Sequence, residues 1–570
     1  MIRRILALML LLSCLMLCVS CSSKNEPYSL SADSLSAPVP ARDHDEVLSL
    51  LSEIGWSDDE SFASENSAES LPTVQFAEPR HSALYNNGYL YVLSNSDIKI
   101  LRADRGQVTL LSATGFSSVS DAESYEFSEA FYVSGEEMVV ITTASFYSED
   151  RSDALPQNRT YAKIFDISSP SAPELTAEFS QDGVYQDSGM VNGVLYLISV
   201  DTVNYDAEAD QEMLLPRIND NGAEMTIPAE RIYLTDSPDS AYTIVSSILP
   251  GEARRGDVCA FVGSNDHTVI CESGLYLART VELCYDSDPY EQDQYSVTDH
   301  SSANATELKR LSCDSALSLL SSHSMAGAPL ALDYADGNVR LASRVTQSEY
   351  QLFTDETYGW TNRLDGVQVQ STALTLLDEA LTVVSQNVDL FPDASVIHFS
   401  GSSCYAVTSD AQSPLILLEL SDAQNPLQAD VSDLSAYSNY LIETDRGILD
   451  LVVELDAQGT PALALRLLYC EDGLLSSVSG TYFIGDYTGN ACYATASPDG
   501  SYAVVTFDGE THLLRIGSEI MESGLLKISA HSGTQFLFTD GYLYACAPDS
   551  VSGVALSTAE VVSALSFGVG

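Results

Sequence analysis

From about residue 73 onward the chain never sustains a helical period. Apolar, β-branched and aromatic residues come in short runs, broken by Gly, Asn, Asp or Pro. That rhythm predicts strands joined by tight turns. One phrase keeps returning. "LYNNGYLYVLSNSD", "MVNGVLYLISVD" and "FTDGYLYACAPDS" each place a turn dipeptide before an alternating apolar run, and "DGNVRLAS", "SGSSCYAVTS" and "DGSYAVVTF" repeat it in other letters. Asn-Gly and Asp-Gly supply the positive φ of a two-residue hairpin.

Glycines of this kind stand at Gly88, Gly135, Gly193, Gly263, Gly337, Gly401, Gly447, Gly500 and Gly541. Their spacing, about forty to seventy residues, matches a four-stranded unit with or without an insertion. A second phrase sits at a fixed place within the unit. "IFDISSPSAPELTAEF" and "LLELSDAQNPLQADV" read as a third strand, a turn and a fourth. Each unit is therefore a meander of strands A, B, C and D, with the Gly turn joining A to B. Such a sheet is apolar on both faces and needs neighbours on both sides. The expected fold is all-β: a single β-propeller of about eight four-stranded blades, within seven to nine. Nine glycines mark nine units, one of them expected to be incomplete. Two smaller propellers in tandem are the alternative.

The N-terminus has a different character. "MIRRILALMLLLSCLMLCVSC" carries Arg3 and Arg4 before an apolar run that ends at small residues, the form of a secretory signal. Val19-Ser20-Cys21 resembles the lipobox of bacterial lipoproteins, with Cys18 where that family prefers Leu. The resemblance implies cleavage before Cys21 and a lipid on its thiol. Residues 1–20 are then signal peptide and 21–72 a lipid-anchored tether. Within the tether, 43–55 reads as a short helix, with Asp43 and Asp45 at its start and Val47, Leu48, Leu50, Leu51 and Ile54 as its apolar stripe. Residues 73–570 form the propeller domain.

Residues 43 to 568 also resemble the secreted bacterial proteins with a C-terminal β-propeller domain distantly related to WD40 repeats. "FDISSPSAPEL", "DGVYQDSGMVNGVLYLIS", "LLPRINDNG", "VCAFVGSND", "LLELSDAQNPL" and "QFLFTDGYLYA" carry the likeness, in order. Two departures stand out. "TVQFAEPRHSALYNNG" replaces the family's acidic Gly-Val-Asp-Glu-Ala-Asp phrase, and Gly189 stands where Arg is usual. The resemblance implies fold and location, and no activity.

Charge narrows the partners. There are 81 acidic and 25 basic residues, a formal net charge of −56. No phosphate-neutralising surface can be built from that balance, which excludes general nucleic-acid binding. It also leaves the lipid on Cys21 as the only membrane contact, because the body of the protein repels anionic headgroups. A self-repelling, soluble monomer is expected. Export permits disulfides. Cys259 and Cys271 lie symmetrically about Asn265, so a hairpin there would oppose them at bridging distance; two free buried thiols satisfy the same positions.

Four long insertions, 145–160, 201–229, 284–303 and 346–368, fall between strands B and C of consecutive units, so they crowd one face of the disc. Long loops on a rigid scaffold are where binding residues concentrate. Acids alternate there with aromatics, among them Tyr205, Tyr290, Tyr358 and Trp360, a mixture suited to a glycan or a cationic group. Asp286, Asp288, Glu291 and Asp293 offer hard oxygen ligands to calcium but lack the Gly and terminal Glu of an EF-hand loop. No other cofactor is expected. No GxSxG, HExxH or phosphate loop occurs, and His398 in "VIHFSG" reads as a core or rim residue.

The expectation is a binding or scaffold module on the outer face of the cell membrane, with a protein or glycan ligand outside the cell. A hydrolase or lyase with its site in the central channel is the alternative, and a structural spacer a third reading.

Overall fold

The computed structural model describes residues 35–55, 75–76, 82–94, 96–116, 124–146, 157–203, 214–292, 295–355, 360–388, 394–408, 415–422, 424–431, 437–471, 474–487, 489, 492–528, 530–531 and 533–567. Among them are nine consecutive four-stranded antiparallel meanders, at 83–115, 125–182, 184–262, 267–326, 328–388, 394–431, 437–486, 492–525 and 535–566. We number them blades 1 to 9, with strand A innermost. The second strand of each blade carries the densest apolar run because it is sandwiched on both faces: Met138–Ile141 and Leu195–Ile198 are fully buried.

Each blade shares a core with the next. Tyr91, Ile98 and Ile100 of blade 1 pack on Phe131, Met138 and Val140 of blade 2. Equivalent clusters join blades 2 and 3, 3 and 4, 4 and 5, 5 and 6, 6 and 7, 7 and 8, and 8 and 9. The last blade then packs on the first, with Tyr544, Cys546 and Val551 against Leu90, Val92 and Leu101. At that seam the Gly106 amide donates to Tyr544 Oη (3.1 Å) and Ser563 Oγ donates to the Gly106 carbonyl (2.6 Å). A Cβ on Gly553 would lie 2.0 Å from the same carbonyl oxygen, so the two backbones meet only because position 553 is Gly. The ring shuts once. Tandem propellers are excluded, and the ring holds nine described blades, at the upper end of the seven to nine expected.

The glycine markers locate the A–B turns with one exception. Asn87 (φ 50°) and Gly88 (φ 84°) make such a turn in blade 1. Gly263 instead follows strand D of blade 3, and the A–B turn of blade 4 is Glu272-Ser273, between Cys271 and Gly274. Packing explains Gly263: a Cβ there would stand 2.3 Å from Arg279 Nη1. The hairpin expected to oppose Cys259 and Cys271 does not form, because the two strands belong to different blades. Cys259 lies on strand D of blade 3, Cys271 on strand A of blade 4, and both thiols are free.

Ahead of the ring, helix α1 (His44–Gly55) begins where the Asp43 carboxylate accepts from the Glu46 amide (3.0 Å). Its buried Val47 and Leu51 join Ile227, Ile232 and Ile244, each burial stabilising by about 1.5–3 kcal/mol. The preceding Val39–Pro40 strand pairs antiparallel with Ile232–Leu234, and Leu35 rests on Val281 and Ala305 of blade 4. Between helix and ring, Gln75–Phe76 pairs in parallel with Tyr440–Leu441 of strand A in blade 7. Strand B occupies the other edge of that strand, so the chain itself lies on the channel side of blade 7.

Candidate binding face

All four insertions leave the ring between strands B and C, on one face. The tip in blade 2 lies outside the described residues. In blade 3 the excursion turns outward. Arg217–Asp220 pairs with strand D of blade 2 (Phe179↔Asp220), and Ala223–Thr226 pairs with it in turn. Ion pairs pin this return: Arg159 Nη2 donates to Asp182 (2.8 Å) and Glu224 (2.7 Å), and the Arg217 amide donates to Asp182 (2.9 Å). Asp201, at the mouth of the excursion opposite Tyr242, has its carboxyl pushed up to about 7 by burial and by the neighbouring Asp182 charge, against the pull of Arg217 and Arg159. Sequence reasoning missed this cluster, whose members are scattered over 159–224.

Blades 4 and 5 behave differently. Their B and C strands, Gly274–Asp286 with Tyr295–Leu311 and Asn338–Asp355 with Trp360–Leu377, run on past the disc. Within the disc, strand D of blade 4 and strand A of blade 5 lie between the two hairpins and meet at Gly327 (φ 98°), whose amide donates to the Asn304 carbonyl (2.8 Å). A Cβ there would lie 2.9 Å from Ser343 Oγ and 3.1 Å from the Arg344 carbonyl oxygen. Beyond this fork the edges of the two hairpins face each other and pair, from Ala303↔Gln347 to Ser296↔Thr354. The predicted loops are strands. Together they form a four-stranded wing that stands about 25 Å above the fork, at 3.3 Å per residue.

Strand alternation gives the wing two distinct faces. On one, His300 stacks on Tyr350 (4.2 Å between ring centroids), the Arg363 guanidinium lies 3.9 Å from the Tyr350 ring centre, and Asp286 pairs with His300. Partial desolvation, with Glu282 and Asp286 nearby, pushes the thiol of Cys284, which is exposed on this face, up to about 11. On the other face, Gln351 Nε2 donates to Asp299 (2.6 Å) and to Tyr290 Oη (3.2 Å), and Tyr290 Oη donates to Asp299 (3.2 Å). Tyr295 and Phe353 meet edge-to-face at 6.1 Å.

The expected ligand-face and calcium residues therefore divide. Tyr290 is exposed (39%). Asp286 is spent on His300 on the opposite face, with Asp288 and Glu291 exposed near the strand break. Trp360 opens the outer strand by pairing with Asp355; its side chain, and Tyr205, Tyr358, Asp293 and Cys21, lie outside the described residues. Among the described residues, no three His, Cys, Asp or Glu side chains gather closely enough to hold a metal ion. His398 is half-buried, 3.7 Å from Glu443 of the next blade.

The wing's root holds a buried ion cluster. Glu307 accepts from Arg279 Nε (2.5 Å) and Lys309 Nζ (2.9 Å), and Arg279 Nη2 donates to Thr235 (3.0 Å). Burial pulls the Lys309 ammonium down to about 8, against the attraction of Glu307.

Comparison with known proteins agrees with this architecture. The family model described as "Beta propeller domain" matches residues 81–449. The chain belongs to that family. No curated protein matches. Among solved structures, the chain is similar to apo AztD from Citrobacter koseri, at 12% identity and a TM-score of 0.27, covering 57% of this chain and 92% of that one. It is also similar to a functionally unknown protein from Desulfotomaculum acetoxidans DSM 771, at 11% identity and a TM-score of 0.24, covering 45% and 91%. Likeness at this level says nothing about activity.

Proposed function

We propose that the protein is an envelope-anchored binding module, held by a lipid on Cys21 to the outer face of the cell membrane, with the wing of blades 4 and 5 as its contact surface. One observation carries the reading. Two consecutive insertions pair into a single exposed sheet that no blade interface needs, and a buried ion cluster lies at its root. An ordered surface without a packing role is best explained by a partner. The tether supports the same reading. Leu35, which rests at the wing's root, lies fourteen positions after Cys21, so a lipid on Cys21 would keep that root within about 50 Å of the membrane. A channel enzyme is less well supported, because residues 75–76 take up the channel edge of blade 7.

The test replaces 284–303 and 346–368 with short turns and measures binding to isolated cell-wall or matrix material. Loss of binding at unchanged thermal stability is the expected result; undiminished binding would refute the role of the wing. Mass spectrometry of the mature N-terminus, showing an acylated or an unmodified Cys21, decides the anchor.

A further inference from the structure

The two long edges of the wing are built differently. The edge formed by strand B of blade 4 breaks after Asp286, passes through Asp288 and Pro289, and resumes at Tyr290–Gln292. Proline has no N–H to offer and a break interrupts the ladder, two devices that stop a sheet from pairing onward. The opposite edge belongs to Trp360–Leu377. Among the described residues its outer side acquires a partner only from Ala373, which pairs with Val388. Over 361–371 no described strand lies beside it, and the stretch contains neither Pro nor Lys. All of Thr361–Gly366, with Gln368 and Gln370, are exposed, on both faces of the sheet. Gly366 keeps the strand seated through a bulge, since a Cβ there would lie 2.7 Å from the Glu349 carbonyl oxygen. A long edge with alternate N–H and C=O groups open to solvent is a template for one more strand.

Charge selects the occupant. The wing exposes Glu282, Asp286, Asp288, Glu291, Glu349 and Asp365, while its Arg363 is already bonded to Asp365 (2.6 Å). A second copy of this chain would bring the same acidic wing on a protein of net charge −56, and the two wings would repel each other. A glycan cannot match backbone groups at strand spacing. An extended polypeptide can. Alternation then assigns its side chains: every second one falls beside Asp365, on the face of the Tyr350 stack, and the others beside Leu364, which is 57% exposed on the opposite face.

We propose that the open edge over 361–371 takes up an extended, basic polypeptide segment, with Lys or Arg alternating with β-branched residues, as a fifth strand of the wing. This rests on the reading of the wing as the contact surface.

The probe is a fluorescent peptide of about ten residues alternating Lys with Val or Thr, the length of the open edge at one residue per strand position. It is titrated into the full mature protein and followed by anisotropy. Saturable binding is expected, with amide exchange slowed over 361–371. N-methylation of alternate peptide amides should weaken binding by about tenfold or more, because it removes ladder bonds and leaves charge unchanged. Leu364→Pro should do the same from the protein side, while the methylated peptide keeps the test valid if that variant misfolds. Equal binding of the methylated peptide would reduce the effect to charge and overturn strand addition. So would protection of 361–371 by dimerisation without peptide, or binding of cell-wall glycan fragments where the peptide fails. If removing the wing abolishes envelope binding while the peptide does not bind, this inference fails alone. If the peptide binds but the wingless protein still holds the envelope, the wider reading fails and the open edge stands.

Discussion

Blade 3 and blades 4–5 carry insertions at the same topological position, and the insertions meet opposite fates. The excursion of blade 3 folds back on the outer rim of blade 2, buries Leu214, Leu215, Ile218, Ile227 and Ile232, and is roofed by α1. The wing buries little beyond Val281 and Val297 and stands clear of the disc. The difference lies in the letters. "MLLPRIND" and "MTIPAERIYL" supply enough apolar surface to seal a rim; "CYDSDPYEQDQYSVTDHS" does not. The wing is ordered instead by backbone pairing between two blades, which places few demands on side chains and leaves both faces available. One insertion became structure and the other became surface.

That contrast can be broken most sharply in the excursion. Ile227→Ala removes a fully buried side chain from the cluster under α1 and should cost about 2–5 kcal/mol. Leu364→Ala on the wing should change stability by less than about 0.5 kcal/mol. Urea unfolding of the two variants compares them directly, and equal losses would mean that the wing, too, is packed structure.

A middle-sized effect sits at the mouth of the excursion. The Asp201 carboxyl is pushed from 3.8 up to about 7, and Asp182, Arg159, Arg217 and Tyr242 are the groups around it. The folded state therefore holds a proton there that the unfolded chain releases near pH 4. Its stabilising contribution is complete below about pH 4 and is lost as pH rises through about 7. Asp201→Asn should flatten that fall and add about 1–2 kcal/mol at about pH 8. Urea midpoints at about pH 5 and 8 provide the check, and a variant that tracks the parent at both values would show that Asp201 is not buried in its charged form. No equivalent dependence is expected from substitutions on the wing.

Most of the ring was legible because its signals are local. Asn87-Gly88 and Asn192-Gly193 make their turns with two residues, and the Ser-Pro phrases join strands C and D within one blade. What escaped was non-local. Gly263 has the look of a hairpin glycine, yet its smallness serves Arg279 of the next blade. All nine units are whole, and in blade 4 the A–B turn is Glu272-Ser273, which carries no glycine to mark it. The wing was read as loops because "VTQSEYQLFT" alternates among mostly polar residues, without the apolar face that normally marks a strand. Its partner is another blade's backbone, which leaves little trace in composition. Tyr290 and Asp286 were picked out as neighbours in sequence, but the pleat and the strand break send them to opposite faces.

The central claim is that the hairpins of blades 4 and 5 are zipped into one sheet, and a single cross-link tests it. Ser302 and Ser348 lie opposite each other across the junction, with their hydroxyls 2.7 Å apart. In a Cys284→Ser background, which removes the thiol facing Ser302 from the other side, Ser302→Cys with Ser348→Cys should form a disulfide in the native protein under mild oxidation, identified by peptide mapping. Two thiols that stay free and alkylate as fast as in the unfolded chain would mean that the hairpins stand apart, and the wing with them would be lost.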